Sequence, residues 1–260
     1  MHRFRSGAGA GAACAAALRS SVVLLDCARA PAKNADRRLQ ALVEGGADGG
    51  GGDGGGAEGA EGAEGGGAAP ACRASFARVR IPLEDLDLAA LCAAVAPGRR
   101  AVVCAKHLCG AATDYVLRAA VGARARGAAA DAPAALVLGT CCHHRCAWHA
   151  YPNRPYLEAL GLRGASHFAA LCRVATWGVS QPVLGAEGDA AGGAADGRAE
   201  LGRKAKDLLD EGRAEYLRAH GYDVALQTYV DGAVTPENVL IVATDRSLDV
   251  PLGSKSEYKR

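Results

Sequence analysis

Aromatic side chains are scarce in this sequence. They make up 5% of the 260 residues, whereas half of the residues are apolar. Much of that apolar share is alanine, which buries little area, but the total is enough to form a core and excludes a wholly disordered chain. Glycine accounts for 35 residues, roughly twice its usual share, and this excess indicates segments outside any fold.

Long apolar runs are also missing. No stretch of about 18 consecutive apolar residues occurs, which argues against a membrane-spanning helix. The start, Met1 to Ser6, lacks the apolar core of a secretory signal. Ten cysteines are too sparse for a small disulfide scaffold and are better explained as reduced thiols. We therefore expect no membrane partner and a location in the cytoplasm or the nucleus.

Basic residues are absent from residues 44–67, which carry six of the 28 acidic residues. Outside this stretch, 30 basic residues face 22 acidic ones, so the net charge of +2 becomes +8. Such a balance suits an anionic partner. Residues 44–69 and 181–198 are rich in glycine and alanine and have no periodicity, so we predict that both are low-complexity insertions.

Short apolar strands alternate with helical segments in the rest of the chain. Strands are predicted at 22–26, 76–81, 101–105, 134–139, 224–230 and 239–244, and helices at 31–43, 86–95, 113–124 and 201–220. This order predicts an α/β fold with a mostly parallel sheet, and the last two strands predict an antiparallel C-terminal edge. We expect one domain over residues 1–245 and a tail over 246–260.

Polar residues cluster where the predicted strands end, which is the edge at which doubly wound sheets bind ligands. Gly7, Gly9 and Gly11 form a glycine-rich turn, and Asp26 ends the next strand, where a carboxylate can bind ribose hydroxyls. A chance low-complexity tract would give the same glycine pattern. Lys106 follows another strand and is either a surface side chain or a functional cation facing the cleft.

The segment 140–148 holds the densest set of proton- and metal-binding side chains: Cys141, Cys142, His143, His144 and Cys146. Successive residues on a strand point to opposite faces, and zinc ligands usually come from separated pairs, so we expect no metal here. A zinc-binding module centred on these residues is one alternative, and buried thiols are another. Trp148 and Tyr151 follow beside arginines, either to contact RNA or to form a small hydrophobic lid.

Two motifs resemble a known family, the eukaryotic tRNA 2′-O-methyltransferases that modify nucleotide 4 of the acceptor stem. They are Lys106-His-Leu-Cys-Gly-Ala-Ala-Thr-Asp114 and Cys141-Cys-His-His-Arg-Cys-Ala-Trp148, and the runs Asp210–Leu217 and Pro236–Leu240 are similar to the same family. The resemblance covers most of residues 7–245 apart from the two glycine-rich gaps. It implies a class I, Rossmann-like fold, S-adenosyl-L-methionine as cofactor and tRNA as partner.

The resemblance also implies roles for individual residues. The cofactor would be bound by Gly7, Gly9, Gly11, Asp26 and Asp85; the hydroxyl proton would be handled by Lys106, His107 or His143, with Asp114 orienting Lys106; and RNA would contact Arg145, Trp148 and Tyr151. Asp85, with Glu84 as the alternative, is assigned because Pro82 stands where an aspartate is expected after the strand at 76–81.

Two features that the family usually carries are not found: the strand before the glycine loop and small upstream zinc-binding segments. We interpret the chain as an N-terminally truncated member without the first strand, with zinc confined to the missing segment, if present at all. The alternatives are a truncated or inactive methyltransferase-like binding domain, or a methyltransferase that acts on another RNA or on protein.

Overall fold

The computed structural model describes residues 20–26, 74–95, 97–126, 132–179 and 189–248. The chain divides into two compact units, residues 1–82 and residues 83–260. The predicted cofactor glycines, Gly7, Gly9 and Gly11, lie outside the described residues, and so do the helix at 31–43 and the insertion at 44–69. The single domain over residues 1–245 stays a prediction.

The described part of the first unit is a pair of parallel strands. β1 (Ser20–Asp26) pairs with β2 (Ala74–Arg80) along its whole length. The run of four apolar residues at 22–25 is typical of a strand in a parallel sheet. Both predicted strands are confirmed, and β1 ends at Asp26, as the sequence indicates.

The second unit contains a mixed sheet of four strands in the order β3–β4–β6–β5. These strands are β3 (Val102–Cys109), β4 (Ala135–Cys141), β5 (Tyr222–Thr228) and β6 (Val239–Asp245). β3 and β4 are parallel, whereas β6 is antiparallel to both of its neighbours. The fold is therefore α/β with an antiparallel C-terminal pair, but β6 lies inside the sheet and the edge strand β5 runs in the direction of β3 and β4.

The described part of this unit also holds five α-helices. They are α1 (Leu88–Val95), α2 (Ala111–Ala125), α3 (Arg154–Ala159), α4 (Gly164–Ala175) and α5 (Asp189–Ala219). The sequence pattern misses α3 and α4, because prolines and glycines surround these short helices. None of the helices in the described ranges is both long and apolar enough to cross a membrane.

The start of α5 differs from the prediction. The helix begins at Asp189 instead of at residue 201, so it runs through the last ten residues of the predicted insertion at 181–198. Alanine, the residue with the highest helix propensity, occurs five times between Asp189 and Glu200 and favours this extension.

The core of the second unit is formed by the sheet and the helices that pack on it. α5 packs along β5 and against α4, and α2 packs against β3 and α1. Leu136 and Leu138 of β4, Ile241 of β6, and Leu209 and Leu217 of α5 are fully buried. The sheet thereby fixes the positions of the two motif-bearing segments that follow β3 and β4.

The N-terminal half of α5 lies unusually close to the turn Thr176–Gly178. A Cβ atom added at Gly202 would collide with the backbone of Gly178. Gly197, on the same helix, has open space around the corresponding position. Glycine at position 202 therefore allows two backbones to touch.

We expect the substitution of alanine for each of these two glycines to have opposite effects on the free energy of unfolding. Gly202→Ala should lower the free energy of unfolding by about 1–3 kcal/mol, because the added methyl group overpacks the contact. Gly197→Ala should raise it by about 0.5–1 kcal/mol, because alanine favours the helix and meets nothing there. Urea denaturation followed by circular dichroism measures both, and effects of the same sign would contradict the packing described for α5.

Candidate active site

The carboxyl ends of β3 and β4 lie side by side and carry the two sequence motifs. Cys109 is the register partner of Cys141, but the register shifts between Ala105 and Leu108, where β3 has one extra residue. This bulge contains Lys106 and His107, and both side chains are exposed. A bulge of this kind is frequent beside active sites, where it redirects a side chain.

Gly110 joins the two motifs. Its φ of +55° is strained for any other residue, and a Cβ atom there would collide with the backbone of Arg145. Its N–H donates a hydrogen bond of 3.3 Å to the carbonyl of Cys141. Gly110 is also the N-cap of α2, so the helix begins at Ala111, two residues before the predicted start at Thr113. The Thr113 hydroxyl donates to the carbonyl of Leu108 at 2.7 Å.

A buried charge cluster lies beneath these segments and consists of Asp114, His143, Asp210 and Arg213. Arg213, on α5, is fully buried. Its Nε and one terminal nitrogen donate to the two carboxylate oxygens of Asp114 at 2.7 and 3.1 Å, and the other terminal nitrogen donates to Asp210 at 2.9 Å. The paired geometry satisfies most of the guanidinium donors.

Asp210 has two further donors. The hydroxyl of Thr140 donates at 2.8 Å, and Nε2 of His143 lies 3.0 Å from both carboxylate oxygens. Burial opposes ionisation of Asp210, but His143, Arg213 and Thr140 outweigh it and hold its pKa well below the usual range. For Asp114, burial outweighs the attraction of Arg213 and raises the pKa.

The predicted proton-handling residues therefore separate into two layers. Lys106 and His107 face solvent, whereas Asp114 and His143 lie in the interior, with exposures of 0% and 2%. Asp114 pairs with Arg213 and does not orient Lys106, which corrects the expectation from the sequence. We assign Asp114 and His143 to the support of the site, because neither side chain is accessible to a substrate.

The predicted RNA-contacting residues also differ in exposure. Arg145 is exposed. Tyr151 is 2% exposed, packs on Phe168 and donates a hydrogen bond of 2.9 Å to the carbonyl of Leu209, so the structure places it in the core. Trp148 is half-buried against Phe168, and the guanidinium of Arg154 lies 5.4 Å from its ring centre. This packing corresponds to the hydrophobic-lid alternative for Tyr151 and in part for Trp148.

A basic surface pocket of about 290 Å³ lies next to this aromatic group. Its lining includes Arg118, His149, Arg154 and Tyr216. Both arginines donate to the carbonyl of His149, at 3.5 and 2.6 Å, which orients them along the pocket. Two guanidinium groups in one recess suit a phosphate.

The two predicted cofactor acids that the structure describes lie in different units. Asp26 closes β1 in the first unit, and Asp85 is exposed in the turn Leu83–Asp85 at the start of the second. Neither position tests the predicted role, so the cofactor contacts of both stay predictions.

Sequence reasoning missed several supporting residues that other segments supply. Asp210 and Arg213 come from the run at 210–217, and Glu237 from the run at 236–240. Glu237 accepts a hydrogen bond of 3.3 Å from the N–H of Cys142 and forms an ion pair of 2.9 Å with the buried Lys206. A spacing of three residues places Asp210 and Arg213 on one helix face, and this was the available signal.

A third group, the sulfur cluster, consists of His107, Cys109 and Cys141. Their donor atoms all lie within 4.8 Å of one another. The Cys141 sulfur is 3.3 Å from Nδ1 of His107 and 4.0 Å from the sulfur of Cys109. Burial first, and then the neighbouring Cys109, raise the pKa of the Cys141 thiol. The Cys141 thiol is therefore protonated at neutral pH.

All four segments singled out in the sequence thus meet at the ends of β3 and β4. A family model described as "Methyltransferase TRM13" matches residues 60–244. The chain belongs to this family. That match covers more than half of the chain, and it joins the motif segments in one alignment.

Relatives in the same family carry a name that states a substrate. The tRNA:m(4)X modification enzyme TRM13 of Eremothecium gossypii is 36% identical over 177 residues, which are 64% of this chain and 38% of the relative. The TRM13 homolog of Mus musculus is 29% identical over 236 residues, 65% of this chain and 49% of the relative. The Homo sapiens homolog is 30% identical over 206 residues, 53% and 43%.

The chain spans less than half of the length of these relatives. No solved structure matches the chain. The two motifs and the segment 210–217 share one buried charge cluster, and Glu237 of the segment 236–240 bonds to Cys142 beside it.

The buried charge cluster predicts a large stability effect. Arg213→Leu should lower the free energy of unfolding by about 3–5 kcal/mol, because Asp114 and Asp210 would lose their shared cation. The matched control is Arg203→Leu, which changes an exposed arginine of the same helix and should cost less than about 0.5 kcal/mol. Urea denaturation measures both.

Similar denaturation midpoints for the two leucine variants would contradict a supporting role for the cluster. If Arg213→Leu does not fold, Asp114→Asn provides a milder test. It keeps the shape of the side chain but removes one charge of the Asp114–Arg213 pair.

Proposed function

We propose that this chain carries the catalytic part of a tRNA 2′-O-methyltransferase that uses S-adenosyl-L-methionine and modifies the ribose at position 4 of the acceptor stem. The observation that carries the proposal is the exposed Lys106, held in a bulge at the carboxyl ends of two parallel strands within a TRM13 family chain. The class I, Rossmann-like arrangement and a location in the cytoplasm or nucleus belong to the same proposal.

Two of the residues that we assign to the cofactor, one in each unit, are among the described residues. Asp26 ends β1, a position from which a carboxylate can accept hydrogen bonds from two ribose hydroxyls. Asp85 is exposed and is assigned to the adenine end. When bound, S-adenosyl-L-methionine supplies a methyl group activated by its sulfonium centre. The enzyme's task is then to place a hydroxyl oxygen about 3 Å from that carbon and in line with it.

Lys106 is our candidate for the hydroxyl proton. Its amino group stands at the strand end on an exposed bulge, where a ribose hydroxyl can reach it. In the charged form it stabilises the alkoxide that develops as the hydroxyl oxygen attacks, and in the neutral form it accepts the proton. The buried charge cluster and Gly110 stabilise the backbone of the segments at this edge of the sheet. The position of Lys106 follows from that backbone.

Basic groups near the site support tRNA as the substrate. Arg145 is exposed beside Gly110, and the pocket with Arg118 and Arg154 offers two guanidinium groups to phosphates. Arg154 also lies over the ring of Trp148, a pairing that presents a planar cation to a nucleotide. These contacts favour a nucleic acid over a protein substrate.

The proposal predicts the behaviour of Lys106→Ala. With S-adenosyl-L-methionine and unmodified tRNA, the variant should bind cofactor normally but lose turnover by about 100-fold or more, because it lacks the group that handles the proton. Mass spectrometry of nuclease-digested tRNA measures the methylated nucleotide, and calorimetry measures cofactor binding. Lys204→Ala is the control, because Lys204 is an exposed lysine on α5 and forms an ion pair with Glu200 one helical turn away.

Near-normal turnover of Lys106→Ala would remove this residue from the mechanism. A methyl group found on another RNA or on protein would overturn the substrate. Absence of saturable binding at millimolar cofactor would instead favour a methyltransferase-like binding domain without activity.

A further inference from the structure

We propose that the sulfur cluster is a zinc site in which His107, Cys109 and Cys141 bind the ion and Cys142 completes the coordination. The site lies at the ends of β3 and β4, beside Lys106. It goes beyond the proposed methyl transfer, which requires no metal at these residues.

Two separations in the sulfur cluster are close to those of ligands around tetrahedral zinc. With Zn–S bonds of about 2.3 Å and Zn–N bonds of about 2.0–2.1 Å, two sulfur ligands are about 3.8 Å apart, and sulfur and nitrogen ligands about 3.5 Å apart. The sulfurs of Cys109 and Cys141 are 4.0 Å apart. Nδ1 of His107 lies 3.3 Å from the Cys141 sulfur, whereas the other ring nitrogen, Nε2, lies 3.5 Å from the Cys109 sulfur. A single nitrogen of His107 and the two sulfurs all lie within 4.8 Å of one another.

The ligands come from two strands. The spacing of residues within the single segment 140–148 therefore could not indicate the site. Cys109 and Cys141 are opposite each other in the parallel register of β3 and β4. The bulge at Lys106 and His107 brings the imidazole to the same place. The expectation of no metal considered only residues 140–148, where neighbouring side chains of a strand diverge.

Cys142 supplies the fourth sulfur because the strand ends in an unusual conformation. Cys142 has a φ of +50° and is the only non-glycine residue with a positive φ in the part of the chain that the structure describes. Such strain is common at functional sites. Burial raises the pKa of its thiol, and the thiols of Cys109 and Cys141 also act on that pKa, so Cys142 lies beside the sulfur cluster. Its sulfur is not among the three donor atoms that lie within 4.8 Å of one another. The left-handed turn places Cys142 next to the sulfur cluster, and rotation of its side chain would bring the fourth sulfur to the ion.

Zinc explains the cluster better than a disulfide. Cys109 and Cys141 are not joined, and a disulfide would require an oxidant and would leave His107 and Cys142 without a role. Zinc binding requires only that three thiols release their protons to solvent, with the imidazole neutral. Three cysteines and one histidine form a common closed zinc site. The exposed Lys106 and Arg145 at the same edge offset the remaining negative charge.

The test measures zinc in the purified 260-residue chain. We expect about one zinc ion per chain, bound by three thiolates and one imidazole. Cys109→Ser and Cys141→Ser should each weaken zinc binding about tenfold or more in competition with a chromogenic chelator. His107→Ala should weaken it similarly. Replacement of zinc by cobalt(II) should give thiolate-to-metal charge-transfer absorption that both serine variants reduce.

Cys104→Ser is the matched control, because Cys104 is an exposed cysteine on the same strand and belongs to no described ligand set. It should bind zinc like the unchanged chain. Equal loss in Cys104→Ser, no zinc in the unchanged chain, or a Cys109–Cys141 disulfide in mass spectra would each overturn the proposal. None of these readouts depends on methyl transfer, so a failure of the zinc site and a failure of the proposed function are distinguishable.

Discussion

The pairing of Arg213 with Asp114 and Asp210 is the interaction on which the site depends. Asp114 lies in the first turn of α2, and Asp210 and Arg213 lie on α5, so one guanidinium connects two helices. The same guanidinium donates to the carbonyl of Gly110 at 3.4 Å. Since burying an isolated charge is costly, the cluster stabilises the site only when all of its members are in place. We therefore expect the motif segments to adopt this arrangement together.

The buried and the exposed residues of the two motifs have different roles. His143 points inward to Asp210, whereas His144 and Arg145, the next two residues, are exposed. In the other motif, Lys106 and His107 face solvent, and Asp114 faces the interior. A motif that looks like one catalytic unit in the sequence therefore contains both groups that can meet a substrate and groups that hold the backbone.

Local sequence patterns predicted where the strands lie, but they did not predict which side chains are buried. Every described strand was predicted because apolar runs and alternation depend on a few neighbouring residues. The burial of Asp114 and Tyr151 could not be predicted in this way, because α5, which contacts both, follows about 60 to 100 residues later in the chain. The bulge at Lys106 and the left-handed turn at Cys142 also depend on strand pairing, which no short window contains.

The direction of the strands has a consequence for how this chain tolerates changes of length. The connection from α2 to β4 enters the sheet at the amino end of β4, whereas Lys106 and Cys142 lie at the opposite, carboxyl end. Residues added to that connection would extend the surface far from the reactive edge. Insertions rich in alanine and glycine would therefore lengthen the chain there at a distance from this edge.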